Sequence, residues 1–583
     1  MIALAATLLF LGFCAVMGFP SLASAGGDND SVMRLVQVRD LLAGQAWFDL
    51  TQYRMGSEGG LPMHWSRLVD LPIALLIASA EMLTGDARLA EEIASVVWPV
   101  GLFGMSLYLI LKAARTLGGE WGVLPAAVIG ALALYFLGIF KPAGLDHHNL
   151  QLTLALATLL FLMRVHSFGP GAALAGLCAA GMLAVGMETV PYVAVAGACV
   201  AVLFLLGGRA EARIARDFGA AFALVSAILF PATIPMASWF AAQCDAFSLP
   251  QASIAMLGGC GLALAASLPV LAATRARRAA ALAVLAAALA ALVLLAFPQC
   301  LADPYVALDG RLRSYWLDKI SEAQSAYDLL LNNRAKMFGS YVTPLIALGV
   351  LAWGMVRRGP SYQAIIVAAF LSAAVLVSFW QVRGTYFSLP FAVIPLSSLV
   401  GTARRRAHET NSARRQLAMA AAWIVSLNMI WQFAAASVGV AASAEAKDGK
   451  EGKALQCYAN SDYARVATLP RSTVLAVSNL GPALLRNTHH RVLAGSYHRN
   501  LDGNLATLDA FTGPLEASRE IVRANDIGLV AFCRGNSETG FLAESAPEGL
   551  LARLAAGDAP DWLEIVPESK GEPLEVYRVL PGS

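Results

Sequence analysis

Charge is scarce in this chain. Only 14% of its 583 residues are Asp, Glu, Lys or Arg, where a soluble domain carries about 25%. That deficit excludes an ordinary soluble fold over most of the length. With 57% hydrophobic residues and a mean hydropathy of +0.61, it leaves a polytopic α-helical membrane protein. A basic domain is also lacking, and the formal net charge is +2, so nucleic acid is excluded as a partner. No two of the eight cysteines have metal-site spacing. Most of them lie in apolar runs and read as small core residues. Cys457 and Cys533 lie in a polar tail, where an oxidising compartment allows them to pair. No internal repeat or low-complexity tract stands out.

The first 25 residues lack Lys or Arg ahead of their apolar core, which a signal peptide needs. Although Ala23-Ser24-Ala25 resembles a cleavage site, the expectation is an uncleaved first membrane helix, with a start that is open to truncation. Apolar runs predict thirteen spans, near 2–17, 92–113, 121–140, 149–163, 171–186, 189–207, 218–239, 251–272, 279–299, 341–356, 361–379, 386–401 and 417–440. Leu71–Leu83 is too short to span comfortably and reads as a helix on or in the interface. Alternate connections hold Lys112 and Arg115; Arg164; Arg209, Arg213 and Arg216; Arg275, Arg277 and Arg278; Arg357 and Arg358; and Arg404, Arg405, Arg406, Arg414 and Arg415. The other short loops hold only Lys141 and Arg383. Basic loops stay cytoplasmic, which predicts a cytoplasmic N-terminus. The long loops at 20–91 and 300–340 then lie outside, together with the tail.

The expected division is a membrane domain, 1–444, and a small α/β domain, 445–583. In the second, strands are expected at Thr473–Val477, Val492–Ala494 and Ile527–Phe532, with a closing hairpin from Leu563–Val566 and Leu574–Leu580. Helices are expected near Gly481–Arg486, Leu515–Ala524 and Glu548–Ala556.

Three acidic motifs fall on the expected outer face. Asn29-Asp30 opens an expected helix, Ser31–Ala43; Asp146-His147-His148-Asn149 precedes the fourth span; Ile320-Ser321-Glu322 lies in the second long loop. Carboxylates and an imidazole from separate loops suit a hard or borderline divalent ion, Mg²⁺ or Mn²⁺. Each also has a plainer reading: Asp30 as a helix N-cap, Asp146 and His148 as interfacial polar residues, Glu322 as a solvated helix residue. Glu188, at an outer turn before Pro191 and Tyr192, is a costly place for an acid and suggests a role near the site. His64 and Arg67, in Met63-His64-Trp65-Ser66-Arg67, suit either a donor site or headgroup anchoring. His498 and Arg499 suit a saccharide or phosphate contact, or a solvated turn; Thr488-His489-His490 reads the same way. Asp245, Asp303 and Asp318 read as ordinary loop charges.

Asn29-Asp30 followed by Arg39-Asp40-Leu41-Leu42-Ala43-Gly44 resembles the first outer loop of the single-subunit oligosaccharyltransferases of bacteria and archaea. Asp146-His147-His148 is similar to the archaeal second-loop motif, and Ile320-Ser321-Glu322 to the fifth-loop motif. The resemblance covers roughly residues 1–440 and implies the GT-C architecture. It implies that Asp30, Asp146 and His148 bind the metal, that Asp30 and Glu322 act on the acceptor, and that Arg383 contacts the donor's phosphates. The family's Trp-Trp-Asp-Tyr-Gly signature, which reads the asparagine acceptor, does not occur after Glu445.

The expected activity is therefore metal-dependent transfer of a sugar or oligosaccharide from a polyprenyl-phosphate or pyrophosphate carrier. The expected acceptor is a periplasmic protein, lipid or glycan, and the expected place the bacterial inner membrane. Membrane lipids are the other partner. The rival reading is a transporter or flippase of lipid-linked glycans. Such proteins place ionisable groups near the midplane and often show repeats, neither of which is evident here.

Overall fold

The computed structural model describes residues 1–24, 28–302, 305, 308–320, 322–410, 412–443 and 457–581. Ala25, Asp303, Ser321 and the expected domain boundary at 444/445 lie outside the described residues. Among those described, nine helices are long and apolar enough to cross a membrane. A tenth arises if the bent pair Ala413–Ser426 and Asn428–Ser437 is one span. Three shorter apolar helices accompany them, Ile2–Val16, His148–Met163 and Gly171–Val185. Each of the thirteen expected spans overlaps one of these elements, but these three have only 15 or 16 residues, against about 20 for a full crossing.

Helix packing in the bundle depends on small side chains, because lipid offers no hydrophobic drive for apolar faces to meet. A Cβ on Gly219 would lie 2.5 Å from the Gly259 carbonyl oxygen, and one on Gly259 would lie 2.6 Å from the Gly219 oxygen. Helices Arg209–Thr233 and Leu249–Ser267 therefore meet backbone to backbone. At the periphery, Arg275–Ala291 buries none of its residues, so its apolar surface is left to lipid.

The first loop folds as helix Asn29–Leu42, a two-stranded ribbon of Thr51–Gln52 against Leu61–Pro62, and helix Arg67–Thr84. The last includes the expected interfacial segment and leaves Leu71, Leu75, Met82 and Leu83 exposed. A buried ion cluster fixes the two helices to each other. Asp70 accepts from Arg34 Nη1 at 2.8 Å and from Arg67 Nη1 at 3.0 Å, and all three side chains are at most 1% exposed. The Arg34 guanidinium also lies 4.2 Å from the centre of the Trp65 ring.

The tail forms a five-stranded sheet in the order Arg491–Val492, Thr473–Leu475, Ile527–Cys533, Leu574–Val579, Leu563–Ile565. The first three strands are parallel and the last two pair antiparallel, so the expected hairpin is present. Helices Gly481–Asn487, Leu515–Ala524 and Leu550–Ala556 match expectation, whereas Leu501–Thr512 and Ser537–Ser545 were not legible from periodicity. The core of this sheet extends into the first loop, taking in Met33, Val36, Met55, Leu61, Met63 and Trp65. Backbone bonds from Val492 to Arg54 (2.8 Å) and from Gly56 to Val492 (2.9 Å) lay the loop along the sheet.

Two disulfides are present, Cys457–Cys533 and Cys244–Cys300. The second goes beyond expectation: Cys244 and Cys300 both lie in connections between membrane helices, on the side of the tail.

Candidate active site

A cleft of about 1040 Å³ separates the bundle from the tail. Its chemistry begins at the N-terminus of helix Asn29–Leu42. Asp28, not Asp30, is the N-cap, its carboxylate accepting from the Asp30 amide at 3.1 Å. Asp30 is thereby released from capping and lines the cleft. The Ser31 hydroxyl donates to Asp28 and accepts from the amides of Leu145 and Asp146 at 2.9 and 3.0 Å. One serine thus ties the first acidic motif to the second, across more than a hundred positions of chain.

The Asp146 turn is fixed by Asn149, which donates to the Gly144 carbonyl at 2.8 Å, and by Ala143 in the left-handed region at φ +67°. Asp146 Oδ1 accepts from His147 Nδ1 at 2.5 Å, and its Oδ2 lies 3.4 Å from His148 Nε2. His148 Nδ1–H donates to Gln151 Oε1 at 2.9 Å, which leaves the Nε2 lone pair for a ligand. Ligand atoms of Asp146, His147 and His148 lie within 4.8 Å of one another.

The third motif meets them from the other side. The amides of Arg383 and Val382 donate to the Glu322 and Gln324 carbonyls at 3.2 and 2.9 Å, so the two loops run side by side. Tyr386 donates its hydroxyl to Glu322 Oε1 at 2.7 Å. Glu188 links the groups, accepting from Gln151 Nε2 at 2.9 Å and lying 3.6 Å from Arg383 Nη1. Arg383 Nε is buried with no hydrogen-bond partner, and so is His64 Nδ1. Both residues line the cleft.

The electrostatics describe a surplus of acid. Burial, together with the charges of Asp146, Asp28 and Glu322, holds the Asp30 carboxyl well above the usual carboxylate range. Burial and Asp146 push Asp28 up to about 6. Asp146 is held below its usual range: burial opposes this, but His147 and His148 outweigh it. Burial disfavours a charged imidazole at His147, yet Asp146 and Glu188 lift it to about 10. Clustered carboxylates that oppose one another's ionisation, beside an imidazole with a free Nε2, form a donor set that fits a divalent cation.

Two expected site residues are placed differently. Arg67 does not line the cleft. Its guanidinium is used by Asp70, by the Asp49 carbonyl at 2.5 Å and by Gln45 Oε1 at 3.0 Å, so it holds the first loop together. Arg499 is likewise engaged, by both oxygens of Asp245 at 2.8 Å. His498 lines the cleft and meets Asp245 Oδ2 at 2.8 Å. Asp245 is therefore no ordinary loop charge: it clamps the tail to the loop between two membrane helices, and its partners hold it below the usual range against the effect of burial. His490 is buried, bonded to the Val466 carbonyl and the Ser472 amide. Sequence reasoning missed roles for Asp28, His147 and Tyr386. The spacing Asp28-x-x-Ser31 is a helix-start signal that identifies the first; nothing local marks Tyr386, which sits within an apolar span.

No known family and no curated protein matches the sequence. Solved structures do. The apo oligosaccharyltransferase of Archaeoglobus fulgidus superimposes with a TM-score of 0.65 over 97% of this chain and 72% of that one, at 14% identity. The chain has the oligosaccharyltransferase fold. The archaeal enzyme AglB in complex with an inhibitory peptide and a dolichol-phosphate matches at 0.62, over 91% and 68% of the two chains and at 12% identity. Its complex with Zn and sulfate matches at 0.61, over 97% and 71% and at 12% identity. That fold accounts for the order of the helices, the long loops and the tail together.

Proposed function

We propose that this protein is an oligosaccharyltransferase-like membrane glycosyltransferase. It takes a sugar or oligosaccharide from a polyprenyl-phosphate or pyrophosphate carrier and delivers it to a protein, lipid or glycan acceptor at the cleft. The observation that carries the reading is convergence. Asp30, His148 and Glu322 with Arg383 come from separate loops and line one cleft at the rim of a membrane bundle, with Asp146 directly behind, 3.4 Å from His148 Nε2 and tied by its amide to Ser31. The related archaeal fold has been captured with a dolichol-phosphate, the kind of carrier that a cleft at the membrane surface can admit sideways.

In this reading Asp30, Asp146 and His148 hold Mn²⁺ or Mg²⁺, with His147 fixing the Asp146 carboxylate. When bound, the ion supplies positive charge against the departing phosphate. The unpartnered Nε–H of Arg383 donates to phosphate oxygens, a planar charge suited to that geometry. His64, kept neutral because burial, His498 and Arg499 push it down to about 3, offers a second ring nitrogen nearby. Glu322, oriented by the Tyr386 hydroxyl, and Asp30 position the acceptor and receive its proton. Displacement is direct, with inversion at the sugar carbon. Residues 1–444 serve as the catalytic membrane unit and 445–583 as the outer domain. The two disulfides on the cleft side support a periplasmic location for it, in a bacterial inner membrane with the N-terminus in the cytoplasm.

The test compares cell-envelope glycans and glycoproteins from a deletion strain complemented with wild type, Asp30→Ala or Asp146→Ala. Wild type restores the glycan and neither variant does. Full restoration by both variants, at normal abundance, overturns the assignment. Intact donor accumulating on the cytoplasmic leaflet of the deletion strain would instead favour a flippase.

A further inference from the structure

A second cavity, of about 410 Å³, opens at the opposite end of the bundle. It lies between helices Ala87–Gly118, Arg334–Arg358, Tyr362–Trp380 and Thr385–Thr410. Arg405 on its edge is separated from the cleft end of its own helix by about 30 Å at 1.5 Å per residue. The cavity therefore belongs to the other membrane face and owes nothing to the catalytic reading.

Its lining has two parts. Leu117, Leu351 and Met355 form an apolar wall, while Arg358, Arg405 and Thr402 line the polar part. A Cβ on Gly354 would come within 3.2 Å of Arg358 Nη2, so the glycine makes room for the guanidinium beside the cavity. Trp121 lines the cavity too, with the Arg404 guanidinium 5.9 Å from its ring centre, an aromatic placement typical of headgroup depth. Among the described residues, Glu409 is the one carboxylate paired with Arg358, Arg404 or Arg405. It meets Arg405 at 3.8 Å with both side chains more than half exposed. Positive charge over an apolar crevice at the membrane boundary complements a lipid whose headgroup is an anionic phosphate.

We propose that this cavity seats the phosphate of an anionic membrane phospholipid, with Arg358 and Arg405 on the phosphate and the acyl chains along the apolar wall. The same guanidinium chemistry would accept inorganic phosphate, so the test separates the two sources. The full-length protein in neutral detergent is titrated with phosphatidylglycerol, phosphatidylcholine or inorganic phosphate, and bound lipid is read by native mass spectrometry. Phosphatidylglycerol is retained in preference to phosphatidylcholine, and inorganic phosphate does not displace it. Each arginine near an anionic headgroup contributes about fivefold, so the double variant R358A/R405A weakens binding about 25-fold. Thr402→Trp, which keeps both charges but fills the cavity, also abolishes retention, while Arg213→Ala in another basic loop changes nothing. Equal retention of phosphatidylcholine, displacement by phosphate, or wild-type binding in a folded R358A/R405A protein overturns the proposal. If R358A/R405A does not fold, Thr402→Trp decides: unchanged binding in that variant refutes the site.

Discussion

Replacing Asp70 by Asn should unfasten the first loop without touching the cleft. Asp70 is fully buried and is the shared acceptor of Arg34 and Arg67. Removing one partner from a buried ion pair costs about 3–5 kcal/mol, because the remaining charge stays desolvated. Arg67 retains other acceptors, the Asp49 carbonyl and Gln45 Oε1 among them, and Arg34 retains the Trp65 ring. The lower end, about 3 kcal/mol, is therefore expected. The first loop shares its core with the tail, so both should open together as a unit of roughly 200 residues, for which each kcal/mol lowers Tm by about 2–4 °C. A fall of roughly 6–12 °C follows on the same scale, measured by thermal unfolding of the detergent-solubilised protein with loss of tertiary signal. Because Asp70 lies outside the cleft, metal affinity of the still-folded fraction should change little. A variant melting within about 1 °C of wild type would refute the view that this cluster sets the position of helix Asn29–Leu42.

Other outcomes are equally specific. Arg383→Lys keeps the charge but loses the buried Nε–H, and should weaken lipid-phosphate binding by about tenfold, as expected for one charge-assisted hydrogen bond; lipid titration of purified protein reads it. The raised carboxyl of Asp28 makes the folded state bind protons more readily than the unfolded chain. In metal-free protein its contribution is thus greatest below the unfolded value near pH 4 and is lost as pH rises through about 6. Relative to Asp28→Asn, EDTA-treated wild type should gain thermal stability from pH 7 to pH 4.5, whereas added Mn²⁺ should stabilise more at pH 7 than at pH 5. His147 contributes its full charged-form stability below its unfolded value near 6.5 and loses it steadily as pH rises to about 10. Non-reducing peptide mapping should recover Cys244 linked to Cys300 and Cys457 to Cys533, with Cys14, Cys178, Cys199 and Cys260 free.

The bundle was legible because lipid imposes a rule on every span: apolar for its length, with arginine kept to one side. Each expected span overlaps an observed helix for that reason. The three acidic motifs were legible because ionisable groups are rare in such a chain, so Asp30, Asp146 and Glu322 stood out against it. What sequence could not show was which acids are partnered. Arg67 and Asp245 look alike as loop charges, yet one is buried against Asp70 and the other clamps Arg499 and His498. Such pairings depend on loops that meet only after folding. The Cys244–Cys300 bond joins two connections 56 positions apart, and neither carries a local signal of the pairing. The extension of the tail core into the first loop, through Met55 and Trp65, rests on contacts across more than 400 positions.

Mn²⁺ binding to purified wild-type, Asp30→Ala, Asp146→Ala and His148→Ala proteins, followed by electron paramagnetic resonance of the free ion, examines convergence itself. Wild type should take up one tightly held ion at pH 7.5, and each substitution should weaken its uptake by about tenfold or more, the usual cost of disturbing a metal site. Undiminished uptake by Asp30→Ala and Asp146→Ala alike would mean that the acids of separate loops do not serve one cation.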